Sequence, residues 1–152
     1  YRTVFLGTDL ARERFEDLRE SSEYKTISDE AQKKQEELIS VSEELQKESK
    51  TLSDEEKATM QKKAQTLYQD LQYANQKAQA LEGELLQILE AEQTPHVQKV
   101  INELVKAKKI SLLFNSGALL AFDTSNKAIN VTPEVIDLLN QANKESIEDK
   151  VK

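Results

Sequence analysis

The sequence predicts a mainly helical α+β chain. A long antiparallel coiled-coil hairpin, a tentacle-like arm, is inserted into a small β body that oligomerises. Three observations predict this. Two apolar ladders between residues 24 and 88 mirror each other about Leu52-Ser53. Short β-like runs occur only outside those ladders, near both ends of the chain. Gly occurs three times and Pro twice, so few residues interrupt a helix.

The elements follow in order. Thr3-Val4-Phe5-Leu6-Gly7 reads as a short strand closed by glycine. Thr8 or Asp9 caps a helix with Ala11, Phe15 and Leu18 on one face. Ser21-Ser22 weakens that helix, and a second start signal falls near Ser22. The descending ladder is Tyr24, Ile27, Ala31, Lys34, Leu38, Val41, Leu45, Glu48 and Leu52. The returning ladder is Met60, Ala64, Leu67, Leu71, Ala74, Ala78, Leu81, Leu85 and Ile88. Both step in alternating threes and fours, the spacing of a helix with a single seam. Folding at 52/53 sets Leu45 against Met60, Val41 against Ala64, Leu38 against Leu67, Ala31 against Ala74, Ile27 against Ala78 and Tyr24 against Leu81. At the tip, Ser53-Asp54-Glu55-Glu56 has the form of a capping box, so a helix restarts where the ladders turn. Lys34 and Glu48 break the descending seam; polar residues there weaken packing and set register.

Thr94-Pro95 predicts a kink or a new N-terminus, because proline removes a helical hydrogen bond. Beyond it, Val97, Val100, Ile101, Leu104 and Val105 form an apolar stripe. A helix over 54–107 would be about 80 Å long at about 1.5 Å per residue. Ile110 to Phe114 and Ala118 to Phe122 are strand candidates, joined at Asn115-Ser116-Gly117 with Gly placed for a left-handed conformation. Residues 128–131 read as a third extended segment. Thr132-Pro133-Glu134 opens a last helix, with Thr as N-cap, and Val135, Ile136, Leu138 and Leu139 give it an apolar face. The domain reading is a body from 1–22 and 95–140, an arm over 23–94 with its tip near 50–54, and a polar tail over 141–152 that frays. One copy has too few strands and too little core to stand alone. Val4, Leu6, Leu112, Phe114, Leu120 and Phe122 are therefore expected to bury themselves in an oligomer around a symmetry axis.

Bulk properties exclude several classes. The 152 residues are 32% charged and 5% aromatic, which suits exposed helix better than a thick core. A formal net charge of −7 argues against nucleic acid as a partner. Without cysteine there is neither a disulfide framework nor a thiolate metal site. No run approaches the roughly 18 apolar residues of a membrane span. The chain opens at Tyr1 without methionine or a signal-like segment; it is read as a mature chain whose signal peptide has been removed, or as a trimmed piece.

The arrangement resembles the Skp (OmpH-like) periplasmic chaperones over roughly Thr3 to Asn140. The carriers are Val4-Phe5-Leu6, Ser22-Glu23-Tyr24-Lys25 and the tip Leu52-Ser53-Asp54-Glu55-Glu56. The most specific are Ile110 to Phe114, Ala118 to Phe122, and Ile129-Asn130-Val131-Thr132-Pro133-Glu134-Val135-Ile136. The resemblance implies a homotrimer in the periplasm, with three helical tentacles on a β body. The space between tentacles would hold unfolded outer-membrane proteins and keep them from aggregating, without ATP and without a cofactor. The sequence has no glycine-rich phosphate loop. It departs from familiar relatives in charge. Residues 48–63 carry four acidic residues and four lysines, and 64–97 carry Asp70, Glu82, Glu84, Glu90 and Glu92 against Lys77 alone. The lipopolysaccharide contact proposed for basic members is therefore not carried over, and membrane contact is not expected.

Single residues are weighed against blander readings. His96, the sole histidine, reads as a partly exposed residue at a helix restart rather than a metal ligand or pH switch. The pairs Glu36-Glu37, Glu43-Glu44 and Glu55-Glu56 point to different sides of a helix, so they read as solvated surface rather than an acid/base pair. No nucleophile-base constellation is present, and an enzyme is not expected. Tyr68 and Tyr73 lie off the seam with Gln72, and Met60 sits near the tip. These three apolar side chains are the candidate client contacts, although Met60 also occupies a rung. Two other functions compete: a structural coiled-coil adaptor for one defined partner, and a prefoldin-like cytosolic chaperone. In the latter the β hairpins would lie between the long helices, whereas here they lie outside.

Overall fold

The computed structural model describes residues 1–48, 51–121, 123 and 126–151. Five helices account for most of it: α1 (Arg2–Leu6), α2 (Asp9–Glu20), α3 (Ser22–Lys47), α4 (Asp54–Ala107) and α5 (Thr132–Val151). Short 3-10 turns occupy Ser116–Ala118 and Lys127–Ile129. The chain divides into two compact units. Residues 16–84 form an arm, and residues 1–15 with 85–152 form a base.

In the arm, α3 starts where Ser21 supplies the cap. Its hydroxyl accepts from the Tyr24 amide at 3.2 Å and donates to the Leu18 carbonyl at 2.6 Å. The seam closes as the ladders require. Ile27, Val41, Leu67 and Ala74 are buried, and Tyr24, Ala31, Leu38, Leu45, Met60, Ala64, Leu71, Ala78 and Leu81 are half-buried. Two polar bonds cross between the limbs. The Tyr24 hydroxyl donates to Glu82 at 2.9 Å, and the Lys34 ammonium pairs with Asp70 at 3.2 Å. Both fall within one residue of the register that pairs Tyr24 with Leu81 and Leu38 with Leu67. Lys34 thus keeps its rung by reaching a carboxylate, while Glu48 leaves the seam and is exposed.

The capping box is fully formed at the start of α4. The Ser53 amide donates to the Glu56 carboxylate at 2.8 Å, and the Glu56 amide donates to the Ser53 hydroxyl at 3.3 Å. Replacing Ser53 with Ala should cost about 1 kcal/mol of arm stability, measured by chemical denaturation. The bonds from Ser53 also hold the Glu56 carboxyl below its ordinary value. A carboxylate with a depressed folded pKa stabilises above its unfolded pKa, and that contribution disappears as pH falls through the folded value. The melting gap between wild type and Glu56→Ala should therefore be complete at neutral pH and close as pH drops below about 4.

The base has its own core. Phe5, Leu89, Val97, Val135 and Leu139 are fully buried, joined by Val4, Ala11, Val100 and Leu104. α1 packs on α5, and Gly7 permits the approach: a Cβ there would stand 2.6 Å from Ile136 Cδ1. Thr8 caps α2, accepting from the Ala11 amide at 3.3 Å. The Asp9 amide donates to Asn140 Oδ1 at 2.9 Å, which ties the start of α2 to α5. An ion pair between Lys108 and Glu134 joins the end of α4 to the first turn of α5.

Several sequence expectations are corrected. The described residues contain no strand, so the β body is not seen in the single chain. Val4 to Leu6 belongs to helix α1, because its amides find intrachain partners and Phe5 finds the core. The Val4 and Phe5 amides donate to the Tyr1 carbonyl at 2.9 and 3.2 Å. Ile110 to Ala121 has no facing ladder, and an isolated hairpin is marginal in water. At its turn the Asn115 side chain accepts from the Gly117 amide at 3.0 Å, a local bond that favours a 3-10 turn. Gly117 does not take positive φ. In the third expected segment, Ala128 and Ile129 lie in a 3-10 turn, and residues 130–131 form no strand.

Pro95 starts no new helix; α4 runs through it. The ring sits on an exposed face while Gln93 and Val97 on either side are buried. The returning ladder also shifts at its end. Leu89 is buried in the base core and Ile88 is exposed, because the buried positions Leu89, Gln93 and Val97 recur every four residues. The backbone of α5 is helical from Thr132 to Val151.

α4 ends in a Schellman motif: the Ile110 amide reaches the Val105 carbonyl at 3.0 Å, and the Lys109 amide reaches Lys106 at 3.2 Å. Lys109 carries the left-handed conformation this needs, with φ 53°. A side chain in that region costs about 1 kcal/mol relative to glycine. Lys109→Gly should accordingly raise the denaturation midpoint, and an unchanged or lower midpoint would contradict the motif.

Candidate interaction surfaces

The depression formed by described residues of the arm, at its tip, is open to solvent. The arm's ladder side chains are used in closing the seam, so ligands meet only what lies beside it. Tyr68 and Tyr73 are exposed by 52% and 61%. The Tyr68 hydroxyl accepts from Gln72 at 2.9 Å, and the Lys77 ammonium lies 4.6 Å from the centroid of the Tyr73 ring. Met60 is half-buried on its rung. It contributes to an open depression at the tip, bordered by Leu52, Ser53, Glu55 and Glu56. The structure therefore separates the three candidates: two tyrosines on the surface, one methionine largely in the seam. Ile39 was missed in the sequence reading and is 51% exposed. Its signal was an apolar side chain directly after a rung.

The carboxylate pairs do not converge. Glu36 accepts from Gln32, Glu43 pairs with Lys47 at 3.0 Å, and Glu56 is engaged by Ser53. His96 is exposed, and no group of three metal-ligating side chains occurs among the described residues. Tyr24, in the seam, has a shifted titration. Its hydrogen bond to Glu82, and to a lesser degree its burial, raise the phenol above the ordinary value. That arrangement locks the seam and prepares no chemistry.

Charge is divided unequally between the units. The arm carries 17 acidic and 10 basic residues, and the base 11 of each, so the whole net charge of −7 resides on the arm.

In the base, the expected oligomer residues sort into three groups. Val4 is buried in the chain's own core. Leu6, Leu112, Phe114 and Leu120 are exposed, Leu120 completely at 107%. Phe122 lies outside the described residues. Leu112, Leu113, Phe114, Leu119, Leu120 and Ile129, all exposed, form an uncovered apolar segment between α4 and α5. Such segments mark association surfaces more often than solvent-facing loops. No helix among the described residues is long and apolar enough to cross a membrane.

The family profile described as "Outer membrane protein (OmpH-like)" matches residues 11–139. That range takes in both limbs of the arm and most of the base. No curated protein and no solved structure gives a match.

Proposed function

The chain belongs to the OmpH-like outer membrane protein family, and from that premise we propose that it is an ATP-independent periplasmic holdase for unfolded outer-membrane proteins. The observation that carries the proposal is the family match across a self-closed helical arm. A hairpin whose seam is already filled by its own side chains presents long flanks to a large ligand. Clients would sit between the arms of a homotrimer, apart from one another, held by many weak contacts that sum to useful affinity.

Trimerisation is supported by the exposed segment 110–121. Pairing with the same segment of neighbouring copies would cover Leu112, Phe114 and Leu120 and give its backbone the partners it lacks in one chain. The charge on the arm adds a preference. Encounter should favour basic stretches of a client and slow as salt rises.

The direct test is a holdase assay. A urea-denatured outer-membrane barrel protein is diluted with and without the chain, and the soluble fraction is measured. The proposal expects most of the client to stay soluble at a modest molar excess of trimer. Unchanged aggregation would refute it. Several unrelated clients should be protected; protection of one alone would favour the adaptor.

A further inference from the structure

The arm's surface is segregated by charge in a way that the family match does not explain. In an antiparallel helix pair, residues one step after each seam position fall on one side of both helices, and residues one step before fall on the other. On the first side Ser28 stands across the seam from Asn75, Gln35 from Tyr68, and Ser42 from Gln61. The row outside them is Gln32, Ile39 and Gln46 on α3 with Gln65, Gln72 and Gln79 on α4. All twelve are exposed and none is charged, in a chain that is 32% charged. On the second side Glu30, Glu37 and Glu44 stand across from Lys77, Asp70 and Lys63. Charged residues usually occupy both flanks of a coiled coil. Here one flank has been cleared of them over residues 28–46 and 61–79; Lys25 and Glu82, one step after Tyr24 and Leu81, bound the cleared stretch.

Few amides of the cleared side are engaged within the protein. Gln32 donates to Glu36 and Gln72 to Tyr68, but the exposed side chains of Gln35, Gln46, Gln61, Gln65, Asn75 and Gln79 make no hydrogen bond to another residue among those described. A primary amide offers two N–H donors and a carbonyl acceptor, the same groups that a peptide backbone presents. An extended, unfolded polypeptide is neutral along its backbone and repeats those groups at every residue, whatever its sequence. A neutral amide face complements it in both charge and hydrogen bonding. No ion has to lose its water when the two meet, a step that is costly for charged side chains. Ile39 and Tyr68 lie within the same face at nearly the same level and add apolar contact.

We propose that this uncharged face holds the backbone of an extended, unfolded polypeptide, while the acidic remainder of the arm serves encounter and solubility. The proposal rests on the holdase reading and specifies its surface. It also separates Tyr68, on the holding face, from Tyr73, which lies on the charged side beneath Lys77.

The test uses the full chain and a urea-denatured outer-membrane barrel protein as client. A photoreactive benzoylphenylalanine replaces Gln35 or Gln72 in one set, and Lys33 or Lys62 in another. In parallel, charge of either sign is placed on the face with the pairs Gln35→Glu/Gln72→Glu and Gln35→Lys/Gln72→Lys. Ser40→Glu/Thr66→Glu provides the matched change on the other side, and circular dichroism confirms that each variant remains helical. The expected result is client crosslinking from 35 and 72 and about tenfold weaker retention with either sign of charge. The Ser40/Thr66 pair should change retention less than about twofold. Client retained but crosslinked only from 33 or 62 overturns the proposal and leaves the holdase reading intact. So does weakening by one sign of charge alone. Crosslinks from 35 and 72 to a second copy of the chain would make the face an arm-to-arm contact and also overturn it. If the wild-type chain retains no client, the holdase reading fails first and the proposal falls with it.

Discussion

Phe5→Ala should unfold the base and leave the arm helical. Phe5 is completely buried, within a cluster that includes Leu89, Val97, Val135 and Leu139. Truncating a buried phenylalanine costs about 3–5 kcal/mol, the transfer term plus the cavity it leaves. A domain of this size has about 5–15 kcal/mol in total. The site has little means of closing the cavity, because α1 is only five residues long and relies on this ring and Val4 to dock it. Hydrogen exchange resolves the prediction by position. Amides of residues 89–104 and 135–139 should lose protection, while those around Ile27, Val41 and Leu67 should keep theirs, since the seam has its own buried contacts. The neighbouring Leu6→Ala supplies the contrast: Leu6 is 40% exposed, and its loss should cost less than about 0.5 kcal/mol. A Phe5→Ala chain within about 1 kcal/mol of wild type would mean that α1 is not part of the folding unit.

Phe5 also marks where the sequence was and was not legible. The arm was legible because a heptad seam is a local pattern with one geometric solution. Its register can be checked by two bonds, Tyr24 to Glu82 and Lys34 to Asp70. The capping box at Ser53 was legible for the same reason, since every group it joins lies within one turn. Val4-Phe5-Leu6 misled because a short β-branched and aromatic run suits a strand or a buried helical turn equally well. What decides is whether a ladder or a core lies opposite, and that is non-local information. Leu112 to Phe114 was misread within the single chain on the same ground. The shift from Ile88 to Leu89 went unseen because the helix changes partners there, and with them the repeat of its buried face. As for the candidate surfaces, exposure of Tyr68 and Tyr73 followed from their off-seam positions, and Ile39, one step after the rung Leu38, is exposed on the same ground. The uncharged flank was present in the sequence throughout, but only a confirmed register shows which residues share it.

Phe114→Asp with Leu120→Asp should abolish self-association while leaving each chain folded. Both side chains are exposed in the single chain, so neither supports its core. Burying a Leu or Phe contributes about 1.5–3 kcal/mol, so losing the two apolar groups at each interface removes several kcal/mol. The introduced carboxylates add the cost of desolvating a charge, and a symmetric assembly brings equivalent aspartates toward one another. Together these effects exceed what a modest trimer can absorb. Sedimentation equilibrium is the measurement. Wild type should show three times the 17.3 kDa chain mass at micromolar concentration, and the double variant the single-chain mass. Denaturation then adds a second reading. Wild-type stability should rise with protein concentration, as mass action requires of an assembly, and that of the variant should not. The far-ultraviolet helical signal should match between them, because α1 to α5 make no use of either residue. If wild type already sediments as a single chain, the exposed segment has another role and the trimeric holdase loses its structural support. If the variant remains trimeric, assembly is carried by a different surface, and the arm's neutral flank becomes the first place to look for it.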